Sequence, residues 1–163
     1  MNLFFIDDDP RIAATMLGDR HVGKMLLEAC QMMSTAARNH GFDGGYAKAY
    51  ENHPMTKWVS ASKHHFQWAW DHALECGAEH ERRFGTYHKS MLLLPTLSTA
   101  MHTVMPDIAW RNPPRCIPNE YKIHYDSWKG DVPCHVQSYR DYYQVDKSHL
   151  HQWTNREVPS WIH

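Results

Sequence analysis

His21, Lys24, Glu28 and Gln31 advance by three, four and three residues within the stretch DRHVGKMLLEACQ. On a helix, at about 100° per residue, they share one ridge roughly 80° wide. Val22, Met25, Leu26, Ala29, Cys30, Met32, Met33 and Ala36 fill the opposite arc. Such a ridge holds the parts of an acid–base site. It offers a carboxylate to move protons or stabilise a cation, an amine to act as nucleophile, an imidazole to orient it and an amide to read a ligand. The same residues also make an ordinary solvated face, because glutamate and lysine are mostly exposed. Lys24 four residues before Glu28 is the weaker order for supporting a helix, which favours a task beyond holding it.

Two further groups carry chemistry. Asn52-His53-Pro54 precedes Trp58 by four residues, and Arg82-Arg83 stand at the end of a long polar and aromatic segment. Asn-His-Pro is also a helix-start signal, Trp58 reads as core, and paired arginines at a helix end complement its dipole before they bind phosphate. The 14 histidines invite a metal hypothesis. H-E-x-x-H and paired E-x-x-H spacings are absent, so no metal site is called. His65, Trp68, His72, Glu75 and Glu79 do share a helical stripe, which reads as a solvated face.

The elements that position these groups are helical. Asp9 caps a short helix with Pro10 at its first position, running to about Leu17. Asp19 caps the next, which stops near Asn39 before Gly41. A glycine-bearing loop follows. His53-Pro54 begins a helical region in which Ser60 or Ser62 caps a longer segment to Arg83, closed by Gly85. Phe66, Ala69, Trp70, Ala73, Cys76 and Gly77 form that segment's buried face. Another apolar helical stretch breaks or restarts at Pro95. The proline-dense residues 106–119 read as an ordered loop, and a last helix runs from Asp131 to about Tyr143. NLFFI at the N-terminus leaves a short strand open. The predicted fold is all-α, possible N-terminal strand aside, in a single helical domain over 1–163.

Composition excludes several classes. With 42% apolar and 21% charged residues the chain has the make-up of an ordinary globular protein. Its net charge of -1 means that any anion site must be built locally. No stretch approaches the roughly 18 apolar residues of a membrane span, so no membrane partner is expected. Four apolar residues followed by acids do not make a secretory signal. Cys30, Cys76, Cys116 and Cys134 form no C-x-x-C pair and read as reduced thiols, which points to the cytoplasm.

Taken together, G-K-x-x-x-E-A-x-Q in the first long helix (Gly23 to Gln31), Asn52-His53-Pro54 to Trp58, and the charged end Glu81-Arg82-Arg83-Phe84-Gly85 resemble the pyrimidine-dimer DNA glycosylase family, which includes the phage endonuclease V type. The family's D-x-H start with a glutamate seven residues after the histidine corresponds to Asp19, His21 and Glu28. The resemblance covers about residues 12 to 90. It implies a helical glycosylase acting on damaged or modified pyrimidines in double-stranded DNA, with AP-lyase activity, in the cytoplasm of a cell that is the host of a virus. No cofactor is called for. By that carry-over Glu28 is the catalytic carboxylate, His21 and Gln31 orient it or touch substrate, and Lys24 is nucleophile or phosphate contact. Asn52, His53, Arg82 and Arg83 bind substrate. The chain differs from the family in two respects. Residue 2 is asparagine, large enough that Met1 stays, so Met1 supplies the amine, Lys24 replaces it, or lyase chemistry is absent. The basic residue expected beside the glutamate is missing, with Met25, Leu26 and Leu27 all apolar.

Two other classes use the same residues. The ridge also suits a pocket for a nucleotide-like small molecule in a hydrolase, transferase or binder. As the surface of a non-enzymatic interaction protein it would be exposed and flat. A basic-rimmed cleft at Glu28 favours DNA, a closed pocket favours a small ligand, and a convex surface favours neither.

Overall fold

The computed structural model describes residues 1–163. Six α-helices follow one another: α1 (Pro10–Met16), α2 (Asp19–Asn39), α3 (Pro54–Ala61), α4 (Lys63–Phe84), α5 (Leu94–Thr103) and α6 (Cys134–Asp146), with short 3₁₀ turns between and after them. The helix ends follow the local chemistry. Asp9 accepts from the N–H groups of Arg11 and Ile12, with Pro10 in the first turn. Ser62, rather than Ser60, caps α4 by accepting from His64 N–H at 3.1 Å, and Gly85 ends it in the left-handed region at φ 67°.

α2 and α4 form the central pair, with α1 and α3 against their flanks and α5 across them. One cluster of 30 buried apolar residues runs from Leu3 through α2 and α4 to Tyr143. No helix is long and apolar enough to cross a membrane.

The N-terminal segment is not a strand. Leu3, Phe5 and Ile6 are fully buried as an irregular plug beneath α6, where Phe5 stacks on Trp68 at 3.8 Å and Phe4 meets Tyr143 edge-on at 5.4 Å. No second strand lies beside it, so side chains satisfy its backbone groups. Asn2 Oδ1 accepts from Leu3 and Phe4 N–H, and Arg140 Nε donates to the Ile6 carbonyl.

Three other expectations are corrected. Gly18, not Asp19, is the cap residue of α2. The Asp19 carboxylate is taken by Thr154 and Arg83. α6 starts at Cys134 rather than Asp131, since the residue before Pro133 is biased away from helix and the Val132 carbonyl is bonded by Trp128 Nε1. The stripe of His65, Trp68, His72 and Glu79 is buried, not solvated. His65 Nδ1 faces the Trp58 carbonyl at 2.7 Å while its Nε2 accepts from Arg111 N–H, and His72 Nδ1 faces the Pro10 carbonyl at 2.9 Å. The stripe is therefore a polar seam that ties α4 to α1, α3 and the proline-rich loop.

Burial lowers the pKa of both His21 and His72 to about 4, with nearby Lys24 and Lys147 adding to the effect at His21. Both imidazoles are neutral in the fold but protonate near 6.5 in an unfolded chain. The unfolded state therefore binds more protons between these limits, and stability falls as pH drops from about 6.5 toward 4. The loss is at most about 3 kcal/mol per histidine. Melting temperatures measured at pH 7.5, 6 and 5 are expected to fall stepwise, and a flat profile would contradict the buried neutral state.

Candidate active site

Glu28 lies midway along α2 with its side chain 13% exposed, and its two oxygens face different amines. Oε2 accepts the backbone N–H of Asn2 at 2.7 Å and stands 3.7 Å from the N-terminal amine of Met1. Oε1 lies 3.9 Å from Lys24 Nζ, one turn back on the same ridge and 60% exposed. A carboxylate between two amines can accept a proton from either and can stabilise a cation formed at either.

The Asn2 side chain holds Met1 in this position. Its Oδ1 accepts from Leu3 and Phe4 N–H and lies 3.0 Å from Tyr139 Oη on α6, and its Nδ2 donates to the Cys116 carbonyl at 2.9 Å. Tyr139 Oη accepts from Cys116 N–H in turn. Phe4, buried between them, sits at φ 45°, a left-handed conformation that costs a bulky residue on the order of 1–3 kcal/mol. That strain is held by the packing around it and stored next to the candidate site.

His53 stands on the other side. Its Nδ1 accepts the Met55 N–H at the start of α3, which puts the ring proton on Nε2 as a donor. Burial and the nearby positive N-terminal amine hold His53 below the ordinary imidazole value, against an upward pull from Glu28. Beside it opens a cleft of about 690 Å³ lined by His53, Pro54, residues 114–118 and Lys122. Arg115 and Lys122 face this cleft and no carboxylate lines it. Lys147 lies close enough to disfavour a charge on His21, and it is itself paired with Asp146 at 3.1 Å. The cleft lining thus carries two basic side chains and no carboxylate, although the whole chain is nearly neutral.

The other ridge and motif residues divide. Gln31 is half-buried one turn beyond Glu28. His21 is buried below the ridge, with its Nδ1 2.7 Å from Tyr143 Oη and its ring edge-on to Phe4 at 5.0 Å. It supports the strained plug rather than facing the cleft. Asn52 is exposed and lines a separate recess with Asn39 and Lys57. Trp58 is core, stacked on His65 at 4.3 Å. Arg82 is half-exposed and pairs with Glu79. Arg83 is fully buried against Glu79, Asp19 and two carbonyls, so it has no donor directed at solvent for a phosphate. The anchoring role of the Asn2 side chain, with Tyr139 and Cys116, carried no signal in the sequence, because these groups meet through contacts more than a hundred residues apart.

A family model described as pyrimidine dimer DNA glycosylase matches residues 1–92 of the chain, which span the plug, the ridge, His53 and all of α4. No curated protein and no solved structure matches it.

Proposed function

The chain belongs to the pyrimidine dimer DNA glycosylase family, and we propose from this premise that it removes a damaged or modified pyrimidine from double-stranded DNA with Glu28 and an α-amine as its working groups. The 3.7 Å approach of the Met1 amine to Glu28 Oε2 is the observation that carries this reading. The neutral amine attacks the sugar C1′, the C1′–N1 bond breaks, and the base leaves with its electron pair. Glu28 stabilises the oxocarbenium-like charge, takes the amine's proton and delivers it to O4′ as the C1′–O4′ bond breaks and the sugar ring opens to an imine. The imine acidifies C2′, so loss of that proton and of the 3′ phosphate gives a nick. His53 Nε2–H and Lys122 line the cleft that would take the substrate.

Two points favour the α-amine over Lys24. It is held by the Asn2 network, whereas the Lys24 side chain is mostly exposed. As a class, α-amines also lose their proton about two to three pH units below lysine side chains. Removal of Met1 would leave the new amine of Asn2 at the atom now 2.7 Å from Glu28. The test is to incubate the protein with ultraviolet-irradiated and unirradiated duplex DNA in the presence of borohydride. A covalent adduct is expected with the irradiated duplex, and its mass on an N-terminal peptide identifies the reacting nitrogen. Lys24→Ala is expected to keep the adduct. Its loss would move the nucleophile to Lys24, and the absence of any adduct or base release would remove the glycosylase reading.

A nucleotide-like small ligand remains the second reading, since the cleft volume also suits one. Arg115 and Lys122 in a lining without carboxylates favour a polyanion.

A further inference from the structure

Tyr50 combines two properties that do not normally occur together. It is the most exposed tyrosine, at 66%, and its backbone is left-handed at φ 50°. That conformation is an outlier for a bulky side chain and suits glycine or asparagine far better. An exposed position at such an angle gains nothing for the fold from an aromatic ring. A large strained side chain on the surface is accounted for when the ring does work outside the chain.

The turn that presents Tyr50 is rigid on both sides. Before it, Thr35 Oγ1 clamps Ala49 twice, donating to its carbonyl at 3.1 Å and accepting its N–H at 3.0 Å. After it, the His53 N–H donates to the Tyr50 carbonyl at 3.0 Å. Both anchors belong to the candidate site's own framework. Thr35 continues the Lys24–Glu28–Gln31 ridge by four residues, roughly 10 Å beyond Glu28 along α2. His53 carries the imidazole that feels Glu28 and the N-terminal amine. The backbone that presents the ring is therefore held at one end of the ridge, and Lys48, two residues before it, pairs with Glu51 at 3.5 Å.

We infer that Tyr50 is a stacking residue for DNA: its ring lies against a base near the damaged site and takes over stacking that is lost when the target nucleotide is drawn toward Glu28. This inference rests on the glycosylase reading. Extruding a nucleotide costs a few kcal/mol of unpairing and unstacking, and an aromatic face offsets part of it without demanding a particular base. An anchored turn suits the task, because the backbone that carries the ring loses little freedom on binding. The phenol hydroxyl has no part in the interaction, and the ring carries it.

The test uses the full chain and three proteins: the wild type, Tyr50→Phe and Tyr50→Gly. Binding to an ultraviolet-irradiated duplex is measured by anisotropy, base release is measured on the same duplex, and each protein is melted without DNA. Tyr50→Phe is expected to match the wild type. Tyr50→Gly is expected to bind irradiated duplex about five- to hundredfold more weakly, the range for loss of one base–aromatic stack. Its melting temperature is expected to be unchanged or higher, because glycine relaxes the left-handed turn. A wild-type protein that is active beside a Tyr50→Gly variant equal to it overturns this inference and leaves the glycosylase reading intact. A lower melting temperature for Tyr50→Gly means that the ring holds the turn, and equal losses in both variants mean that the hydroxyl acts; either overturns it. A wild type inactive on irradiated and unirradiated DNA alike removes both.

Discussion

Glu28→Gln is expected to lower base release by about 10²–10⁴-fold, the range for loss of a positioned acid–base group, and to abolish the borohydride adduct. The melting temperature is expected to stay within a few degrees of the wild type. The physical basis is the division of labour at this carboxylate. A glutamine oxygen still accepts the Asn2 N–H now held at 2.7 Å, so the N-terminal segment keeps its seat. The charge that faces Met1 and Lys24 at 3.7 and 3.9 Å is removed. Ion pairs that loose, one of them with a mostly exposed lysine, contribute little to folding. The same charge is indispensable if a cation develops at the sugar. Single-turnover base release and thermal melts on one preparation separate the two effects. Full activity in Glu28→Gln would show that this helix carries no catalytic carboxylate.

Arg83→Ala is expected to act in the opposite way, on the fold and not on DNA affinity in the folded protein. Arg83 and Glu79 are both at 0% side-chain exposure. The Glu79 carboxylate collects Arg83 from its own helix, Arg82 one turn on, and Arg156 from the C-terminal tail. Arg83 also donates to the Leu17 and Thr15 carbonyls and to Asp19. Its removal leaves a buried carboxylate short of a partner and two carbonyls without a donor. Breaking a buried pair in this way costs about 3–5 kcal/mol, which lowers the melting temperature of a chain this size by roughly 6–20 °C. Arg82→Ala removes a half-exposed partner and is expected to cost about 1 kcal/mol or less. Burial pushes the Glu79 carboxyl upward, but the hydrogen bonds from Arg156 and Arg83 outweigh it and hold the pKa below the ordinary value of 4.5. That contribution is therefore present above pH 4.5 and is lost as pH falls through the lowered folded value. Melts of the two variants at neutral pH check the ranking. Equal, small shifts would mean that the network is incidental.

Much of this was legible in the residues. Asp9-Pro10, Ser62 and Gly85 mark real helix ends because capping is settled within four residues of chain. The ridge of Lys24, Glu28 and Gln31 opposite Met25, Leu26 and Ala29 is legible for the same reason, since helical period is a local property. Residues that need a distant partner were not. NLFFI has the composition of a strand, but a strand requires a neighbour, and here α6 arrives instead, with Tyr139 reaching Asn2 across 137 residues. The stripe of His65, His72 and Glu79 has the composition of a solvated face. Its polar atoms are met by the Trp58 and Pro10 carbonyls and by Arg156, so burial costs it little. Arg83 has the place of a phosphate ligand at a helix end and the surroundings of a core ion pair. The chain's local order thus sets which helices form and which groups share a face. Which of those groups meet a ligand and which are sealed inside follows from packing between remote segments, because the cost of burying a polar atom depends on the partner that packing brings to it.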